Sequence, residues 1–107
     1  MSETDSDTLD EVVRLLVDAA HPRRIILFGS HARGEQGNDS DLDLIVIEDD
    51  VPNRFQEMVR LRRALQSIRL PIDILVYTEE DVRTRGHWLG TALYEALREG
   101  RELYATG

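Results

Sequence analysis

The chain lacks cysteine altogether and has fewer basic than acidic residues. Without cysteine, neither a disulfide bond nor a thiolate zinc site can form. Among its 107 residues, 21 acidic against 13 basic side chains leave a net charge of −8. That charge argues against a broad electrostatic grip on nucleic acid, which normally requires a basic face. Direct binding of nucleic acid is therefore not expected.

Long apolar runs are also missing from the sequence. No run approaches the roughly 20 apolar residues that a membrane-spanning helix needs. The chain starts with MSETDSDTLDE, which is polar and acidic and does not match a secretory signal peptide. Hydrophobic residues make up 41% of the chain, which is enough for a single core. We expect one domain over residues 1–107, flexible at residues 1–7, in the cytoplasm.

Histidine is too sparse to build a familiar catalytic or metal site. The three histidines, His21, His31 and His87, do not pair at metal-ligand spacing. His31 lies in a loop beside Ser30, and a solvent-exposed residue is its favoured interpretation. No base is placed near Ser30, so a Ser-His-Asp triad is not suggested, and the chain has no Walker-type loop.

The most informative stretch runs from Ile25 to Ile47 and reads IILFGSHARGEQGNDSDLDLIVI. Its two short apolar ends, bounded by turn-forming residues, are typical of buried strands. Because side chains alternate along a strand, Asp41 and Asp43 share one face, about 7 Å apart. Neighbouring carboxylates repel each other and are costly to bury without a partner. A divalent cation resolves that cost, and Mg²⁺ takes carboxylate and phosphate oxygens as ligands.

The loop between these strands has the residue types that bind phosphate. Gly29 lets the backbone approach a ligand closely, and Ser30 adds a hydroxyl donor. Arg33 offers a planar, permanently charged group that suits phosphate oxygens. Gly34 and Gly37 permit a tight path back to the second strand. A cation site beside such a loop is what phosphoryl or nucleotidyl transfer needs, because that chemistry is mainly positioning and charge neutralisation.

These residues resemble the signature of the DNA polymerase β-like nucleotidyltransferase superfamily. The pattern is Gly29-Ser30-x-Ala32-Arg33-Gly34, five residues, and then Ser40-Asp41-x-Asp43-Leu44. The short length points to the minimal nucleotidyltransferase (MNT) branch. The resemblance implies an α+β nucleotidyltransferase fold, in which a small mixed sheet packs against helices and the acidic strands lie at the sheet centre.

Apolar spacing predicts two longer helices. A capping box of Thr8 and Glu11 is expected to begin the first, which ends at His21–Pro22. A stripe of apolar residues indicates the second: Phe55, Met58, Leu61, Leu65 and Ile68. Several arginines lie in and around this helix, most expected to face solvent and a minority to face an acidic partner or a nucleotide: Arg54, Arg60, Arg62, Arg63 and Arg69.

The rest of the chain reads as shorter elements. Glu48-Asp49-Asp50 is interpreted as a solvated acidic turn, and residues 71–77 as a strand. Thr78 and Thr91 are expected to cap two short helices, the second ending at Gly100, before a final strand over 101–105. Tyr94 is interpreted as a packing residue, whereas Trp88 fits either packing or an exposed contact patch.

Asp73 is unusual because it lies inside an otherwise apolar strand. Ile72, Ile74 and Val76 are expected on one face of that strand, with Asp73, Leu75 and Tyr77 on the other. Taken alone, Asp73 is best interpreted as a carboxylate bonded to an arginine. In the family that the chain resembles, however, a third carboxylate arrives on a following strand, and Asp73 matches it in order and context. This match favours a functional role.

The resemblance also implies a mechanism. Asp41 and Asp43 would hold two Mg²⁺ ions, and Asp73 would bind one of them and act as base for the attacking hydroxyl. Gly29, Ser30, Arg33 and Ser40 would bind the nucleotide, with ATP as the substrate. With the three carboxylates present, the chain is interpreted as an intact enzyme.

The acceptor is open at this point. MNT proteins of this size are commonly paired with a helical HEPN protein, and the resemblance implies an antitoxin that transfers AMP to a tyrosine of a HEPN ribonuclease toxin. One alternative is a binding module that neutralises its partner by occlusion, without catalysis. Another is an oligomeric transferase for a cationic small molecule such as an aminoglycoside, with Glu48, Asp49 and Asp50 as extra acidic contacts.

Overall fold

The computed structural model describes residues 6–29 and 42–106. The elements in chain order are α1 (Ser6–Ala20), β1 (Arg24–Phe28), β2 (Leu42–Glu48), α2 (Arg54–Ala64), β3 (Ile72–Thr78), α3 (Glu79–Arg85), α4 (Ala92–Glu99) and β4 (Arg101–Ala105). Helices and strands are mixed along the chain, and the predicted α+β class is confirmed.

The four described strands form one sheet in the order β3-β2-β1-β4. Strand β1 runs antiparallel to both β2 and β4, whereas β2 and β3 are parallel, so the predicted mixed sheet is confirmed. The prediction that the acidic strands lie at the sheet centre is right for β2 and wrong for β3. Helix α2 forms the crossover that brings β3 parallel to β2, and β3 is left as an edge strand.

Helices cover both faces of the sheet. Helices α1 and α2 pack on one face with Leu44 and Val46 of β2, while α3 and α4 pack on the other with Ile45 and Ile47. This division follows from the period of two along a strand, which sends successive side chains to opposite faces. By the same alternation, Asp43 belongs to the face that α3 and α4 cover.

Helix α1 begins at Ser6, two residues before Thr8, so the prediction that Thr8 caps it is wrong. Thr8 lies inside the first turn, and residues 1–5 of the predicted flexible segment lie outside the described part of the chain. The predicted end is confirmed. His21 adopts a left-handed conformation with φ +46°, and its N–H donates to the Val17 carbonyl at 2.9 Å.

Helix α2 follows an N-cap that the sequence reading did not identify: the Asn53 side chain accepts from the Gln56 N–H at 3.0 Å. The helix ends at Ala64, before the predicted stripe is complete, and Ile68 lies beyond it. Phe55 is 74% exposed, so its prediction as a stripe residue is wrong. It lies in the first turn, to one side of the face that Leu61 buries.

The two short helices are capped as predicted. Thr78 and Asp81 form a full capping box at the start of α3. Thr91 accepts from the Tyr94 N–H at the start of α4, and Gly100 ends that helix before β4. No helix within residues 6–29 and 42–106 is long and apolar enough to cross a membrane.

Glu48 is buried, which corrects its interpretation as part of a solvated turn. It is the last residue of β2 and is 8% exposed, because the strand extends one residue further than the apolar run. Its Oε2 atom has no hydrogen-bond partner among the described residues. Burial, followed by hydrogen bonding to Glu57, raises the pKa of Glu48 to about 8. Asp49, by contrast, is exposed and forms a surface ion pair with Arg23.

Candidate active site

Gly29 and Asp43 meet where β1 ends and β2 begins. Gly29 has φ +77°, a left-handed backbone conformation that glycine adopts without steric cost. A Cβ atom on Gly29 would lie 2.6 Å from Oδ2 of Asp43, closer than such atoms approach in proteins. The carboxylate of Asp43 therefore lies against the backbone of the turn, in space that any other residue would fill.

Asp43 and Asp73 are partners in the parallel pairing of β2 and β3. Residues paired in this way point to the same face, on strands about 4.8 Å apart. Asp43 is partly buried, and 61% of the Asp73 side chain is exposed. The next pairs along this face, Ile45 with Leu75 and Ile47 with Tyr77, pack with α3 and α4. The two carboxylates thus lie together at the end of the sheet away from this packing.

Arg62 of α2 is the cationic neighbour of Asp73. Its Nη2 lies 4.0 Å from Oδ1 of Asp73, and both side chains are 61% exposed. An ion pair this long and this solvated contributes little to stability. The ion pair with Arg62 is therefore too weak to give Asp73 a purely structural role. The sequence did not single out Arg62, because the pairing depends on how α2 packs beside β3.

The paired carboxylates fit a hard divalent cation. Asp43 and Asp73 offer only oxygen donors from adjacent strands, which is the ligand type that Mg²⁺ prefers. No group of three or more histidine or acidic side chains in residues 6–29 and 42–106 is arranged to hold a metal. The third predicted ligand, Asp41, lies outside the described residues, as do Ser30, Arg33 and Ser40 of the predicted nucleotide-binding set.

A second charged cluster, at the other end of β3, is structural. Asp81 is buried in the capping box of α3 and accepts from Arg54 of α2 at 2.6 Å. Burial alone would raise the pKa of Asp81, but hydrogen bonds from Thr78 and the charges of Arg54 and Arg85 lower it below the usual value. Arg54 also stacks over the ring of Tyr77. This cluster joins the start of α2 to the start of α3.

Trp88 is an exposed residue rather than a core one. It is 52% exposed, and the guanidinium of Arg85 lies 6.0 Å from its ring centre. Together with Tyr77 these side chains line a cavity of about 160 Å³. Tyr94, predicted to pack, is half-buried with Arg98 over its ring.

Two carboxylates in register beside a glycine turn, on a small mixed sheet, are the arrangement expected of a nucleotidyltransferase. Residues 10–106 match the family described as Polymerase beta, Nucleotidyltransferase. The chain belongs to this nucleotidyltransferase family. It is 32% identical over 83 residues to a candidate protein adenylyltransferase of Methanocaldococcus jannaschii, a match that covers 77% of this chain and 78% of that protein.

Solved structures share the fold. One is a toxin–antitoxin complex with AMP-PNP, which matches with a TM-score of 0.68 and 20% identity over 92% of this chain and 73% of that one. Another is the complex of a tri-AMPylated Shewanella oneidensis HEPN toxin with its MNT antitoxin, with a TM-score of 0.61 and 17% identity over 92% and 71%. At these identities the likeness establishes the fold, and the predicted fold family is confirmed.

Proposed function

We propose that this chain transfers AMP from ATP to a hydroxyl group in a reaction that requires Mg²⁺. Membership of the nucleotidyltransferase family supports the reaction type. The observation that carries the proposal is the pairing of Asp43 with Asp73 beside the Gly29 turn. Two carboxylates paired across adjacent strands are suited to bind a cation that carries phosphates.

The residues of the site have two proposed roles, metal binding and nucleotide binding. Asp43 and Asp73, with Asp41, would hold Mg²⁺, which when bound neutralises charge on the triphosphate and makes the acceptor hydroxyl easier to deprotonate. Gly29 keeps the turn close to the Asp43 carboxylate. Ser30, Arg33 and Ser40 complete the proposed nucleotide-binding set, by the residue types that suit phosphate oxygens.

The proposed transfer exchanges one P–O bond for another. The acceptor oxygen attacks the α-phosphorus of ATP, and the bond from that phosphorus to the bridging oxygen of the β-phosphate breaks. Pyrophosphate leaves with the bonding electrons, and the hydroxyl proton moves to the carboxylate of Asp73. Asp73 suits this role because its side chain is 61% exposed on an edge strand, where an incoming hydroxyl can reach it.

We propose a tyrosine of a HEPN ribonuclease toxin as the acceptor, which would make this chain an antitoxin. Three likenesses support this choice: the relative named as a candidate protein adenylyltransferase, the fold neighbour with AMP-PNP, and the MNT antitoxin with its tri-AMPylated HEPN toxin. The net charge of −8 suits a protein acceptor better than a polynucleotide one.

The position of the acidic segment over 48–50 argues against a cationic small molecule as the acceptor. Glu48 lies five residues after Asp43 on β2, about 16 Å away at the rise of a strand, and it is buried. Asp49 follows it and pairs with Arg23. The acidic segment over 48–50 is therefore at the wrong end of the sheet to hold a substrate beside Asp43.

A transfer assay tests the proposal. Purified protein, Mg²⁺ and α-labelled ATP are incubated with an extract of the host cells, and labelled products are separated and identified. The wild-type chain is expected to label a protein, and Asp43→Asn is expected to abolish the label. Asp49→Asn makes the same chemical change at the far end of β2 and should remain active, provided that circular dichroism confirms that both variants fold.

Other outcomes would redirect the proposal. A labelled nucleic acid or small molecule would retain the chemistry and reject the protein acceptor. If neither form labels anything, yet both neutralise a partner equally, the chain is a binding module and the catalytic proposal fails.

A further inference from the structure

We propose that the acceptor protein docks on the outer side of α2 and offers a segment with apolar and acidic side chains. This inference rests on the proposed protein acceptor and adds where and by what chemistry that protein is recognised. The surface concerned is here called the α2 outer face, and it consists of Phe55, Val59, Arg62, Arg63 and Gln66.

The α2 outer face consists of one side of the helix and of Gln66, which lies in the turn after the helix ends at Ala64. Its residues recur at intervals of three and four, which places them in a single stripe. Phe55 is 74% exposed and Val59 is 40% exposed, and both are large apolar side chains. The stripe leads toward Asp73 through Arg62, whereas Arg60 donates to the Ala19 carbonyl on the side of the helix that contacts α1.

Two adjoining depressions extend this face toward the sheet. The first, of about 350 Å³, is lined by Val59, Arg62, Arg63 and Gln66. The second, of about 300 Å³, shares Arg62 and Gln66 with the first and reaches Ile72 and Ile74 of β3. Together they form a shallow groove that runs from the side of α2 to the strand that carries Asp73. Its walls are mainly polar and cationic over α2 and apolar toward β3, which suits a peptide segment that has both kinds of side chain.

The groove ends beside the candidate active site. Arg62 lines both depressions, and its guanidinium lies 4.0 Å from the carboxylate of Asp73. Asp73 points to the opposite face of the sheet from Ile72 and Ile74. Because β3 is an edge strand, a protein seated in the groove can reach Asp73 around that edge, past Arg62. A hydroxyl carried by that protein would thus arrive at the carboxylate proposed to accept its proton.

The charge of the helix indicates an acidic partner. Helix α2 has four arginines and one glutamate, in a chain whose net charge is −8. Arg54 is held by Asp81 and Arg60 by Glu57, whereas Arg62 and Arg63 are exposed on the outer face. Guanidinium groups on a surface that also exposes phenylalanine and valine favour a segment with carboxylates and apolar side chains.

A polynucleotide fits this surface less well than a protein segment does. Phosphate contacts draw their free energy from an extended basic field, and the chain as a whole is acidic. The apolar side chains of the α2 outer face also offer nothing to a phosphate backbone.

The test uses the protein that the wild-type chain labels in host extract, purified after identification by mass spectrometry. The Michaelis constants for this acceptor and for ATP are measured for Phe55→Ser and for Arg63→Glu. Each variant is expected to raise the KM for the acceptor by about tenfold or more, as the loss of a central interface contact does. The KM for ATP should stay within about twofold, since neither residue touches the nucleotide site proposed above.

Matched controls lie elsewhere on the surface. Leu89→Ser removes an apolar side chain that is 79% exposed, and Arg101→Glu reverses a charge on β4, at the opposite edge of the sheet. Neither should change the KM for the acceptor. The conservative Arg63→Lys should retain most of the wild-type value, because it keeps the positive charge. Thermal unfolding verifies that each variant is folded.

The outcomes separate this inference from the proposed function. If the wild type labels a protein and the two variants label it with unchanged KM, the docking surface is wrong while the proposed function stands. If the wild type labels a nucleic acid or a small molecule, the docking surface and the protein acceptor are both wrong, while the transfer chemistry stands. If it labels nothing, the docking surface and the proposed function are both wrong. A rise in acceptor KM that the two controls do not share supports the α2 outer face.

Discussion

Gly29 is the residue on which the position of the Asp43 carboxylate depends. Its positive φ, and the closeness of Asp43 Oδ2 to the position that a Cβ atom would take, leave no space for a side chain. Strand alternation orients Asp43 toward the correct face, but the turn at Gly29 lets its carboxylate lie against the backbone. The two residues therefore form one structural unit of the candidate site.

The substitution Gly29→Ala is expected to displace this carboxylate. The new methyl group would meet Oδ2 of Asp43 at 2.6 Å, and the left-handed backbone would cost a further 1 to 2 kcal/mol or so. We expect a fall in transfer rate of about a hundredfold, in line with the loss of positioned catalytic groups. Initial rates with labelled ATP and urea unfolding measure the two effects separately.

Gly90 supplies a matched control for this prediction. It has φ +84°, but a Cβ there would have no atom within 4 Å. Gly90→Ala should thus cost similar stability through the backbone while leaving the transfer rate unchanged. Equal rate losses in both variants would mean that strain, and not the contact with Asp43, explains the effect.

Glu48 is a second residue of interest, because it is buried whereas Asp49, which follows it in the sequence, is exposed. It is buried beside Glu57, and burial is the main reason that the pKa of Glu48 rises to about 8. Glu57 is affected in the opposite sense, because hydrogen bonds from Arg60 lower its pKa. Glu48 therefore holds a proton in the folded chain at pH values where the unfolded chain has lost it.

This difference predicts a pH dependence of stability. Between about pH 5 and pH 8 the native state binds more protons at Glu48 than the unfolded state does, so the free energy of unfolding falls as the pH rises. The substitution Glu48→Gln removes the titration and keeps a donor for Glu57. At pH 8 it should stabilise the chain by about 1 to 3 kcal/mol, the usual cost of a buried group left unsatisfied.

Urea unfolding at pH 5, 6.5 and 8 checks the prediction. The stability of the wild type and of Glu48→Gln should diverge as the pH rises, with the variant less dependent on pH. Asp49→Asn is the control, because Asp49 is exposed and should not alter the profile. Parallel profiles for Glu48→Gln and the wild type would contradict the assignment.

Helices α2 and α3 are joined at their first turns by a single buried carboxylate. Asp81 accepts from the Thr78 N–H at 3.0 Å and from Arg54 at 2.6 Å, while Thr78 accepts from the Asp81 N–H in return. One side chain therefore completes the cap of α3 and anchors the start of α2 beside β3. The start of the α2 outer face is positioned by this junction.

Removing that carboxylate should weaken the junction between the two helices and so lower the stability of the fold. We expect Asp81→Ala to lower the free energy of unfolding by about 1 to 3 kcal/mol, because it deletes a cap and leaves Arg54 without its partner. Glu80→Ala, an exposed change at the preceding position of α3, should have little effect. Thermal unfolding of both variants measures the difference, and equal midpoints would refute the role given to Asp81.

The whole molecule is acidic, and this affects how ligand binding must be measured. With a net charge of −8, added salt alone should stabilise the chain by screening its self-repulsion. Thermal shifts with Mg²⁺ and ATP are therefore meaningful only against NaCl at equal ionic strength. We expect Mg²⁺ with ATP to stabilise the wild type by about 2.7 kcal/mol at a hundred times the dissociation constant.

The same measurement on variants tests the carboxylate pair as a unit. Asp43→Asn and Asp73→Asn should each lose the shift specific to Mg²⁺ and ATP and keep the shift produced by NaCl. Asp18→Asn, on the exposed surface of α1, should behave like the wild type. A full ligand shift in the Asp73 variant would remove Asp73 from the proposed metal site.

Local chemistry explains why many elements were predictable. Thr78 and Thr91 each begin a helix, and Gly100 ends one. These boundaries could be predicted because a cap depends only on residues within one turn of it. The alternation of β2 and β3 likewise follows from the period of a strand, so the buried faces of Ile74 and Val76 were predicted correctly. The fold could be predicted from the family signature, because the spacing of that signature is specific.

Burial by distant elements could not be read from the sequence. Phe55 matched an apolar stripe but is exposed, because no described element packs over its side of α2. Glu48 matched an acidic turn but is buried, because Glu57 and Arg60 of α2 lie against the end of β2. In both cases the local pattern was genuine, and the neighbours that decide exposure are far away in the chain.

The sequence by itself determined the kind of chemistry, because carboxylates, glycines and an arginine at the family spacing are local features. Only the tertiary structure decided how β2 and β3 align, since the register that pairs Asp43 with Asp73 depends on the path through α2. The same crossover left β3 at the edge of the sheet and set Arg62 beside Asp73. Contacts between distant segments depend on packing, which no single stretch of sequence contains.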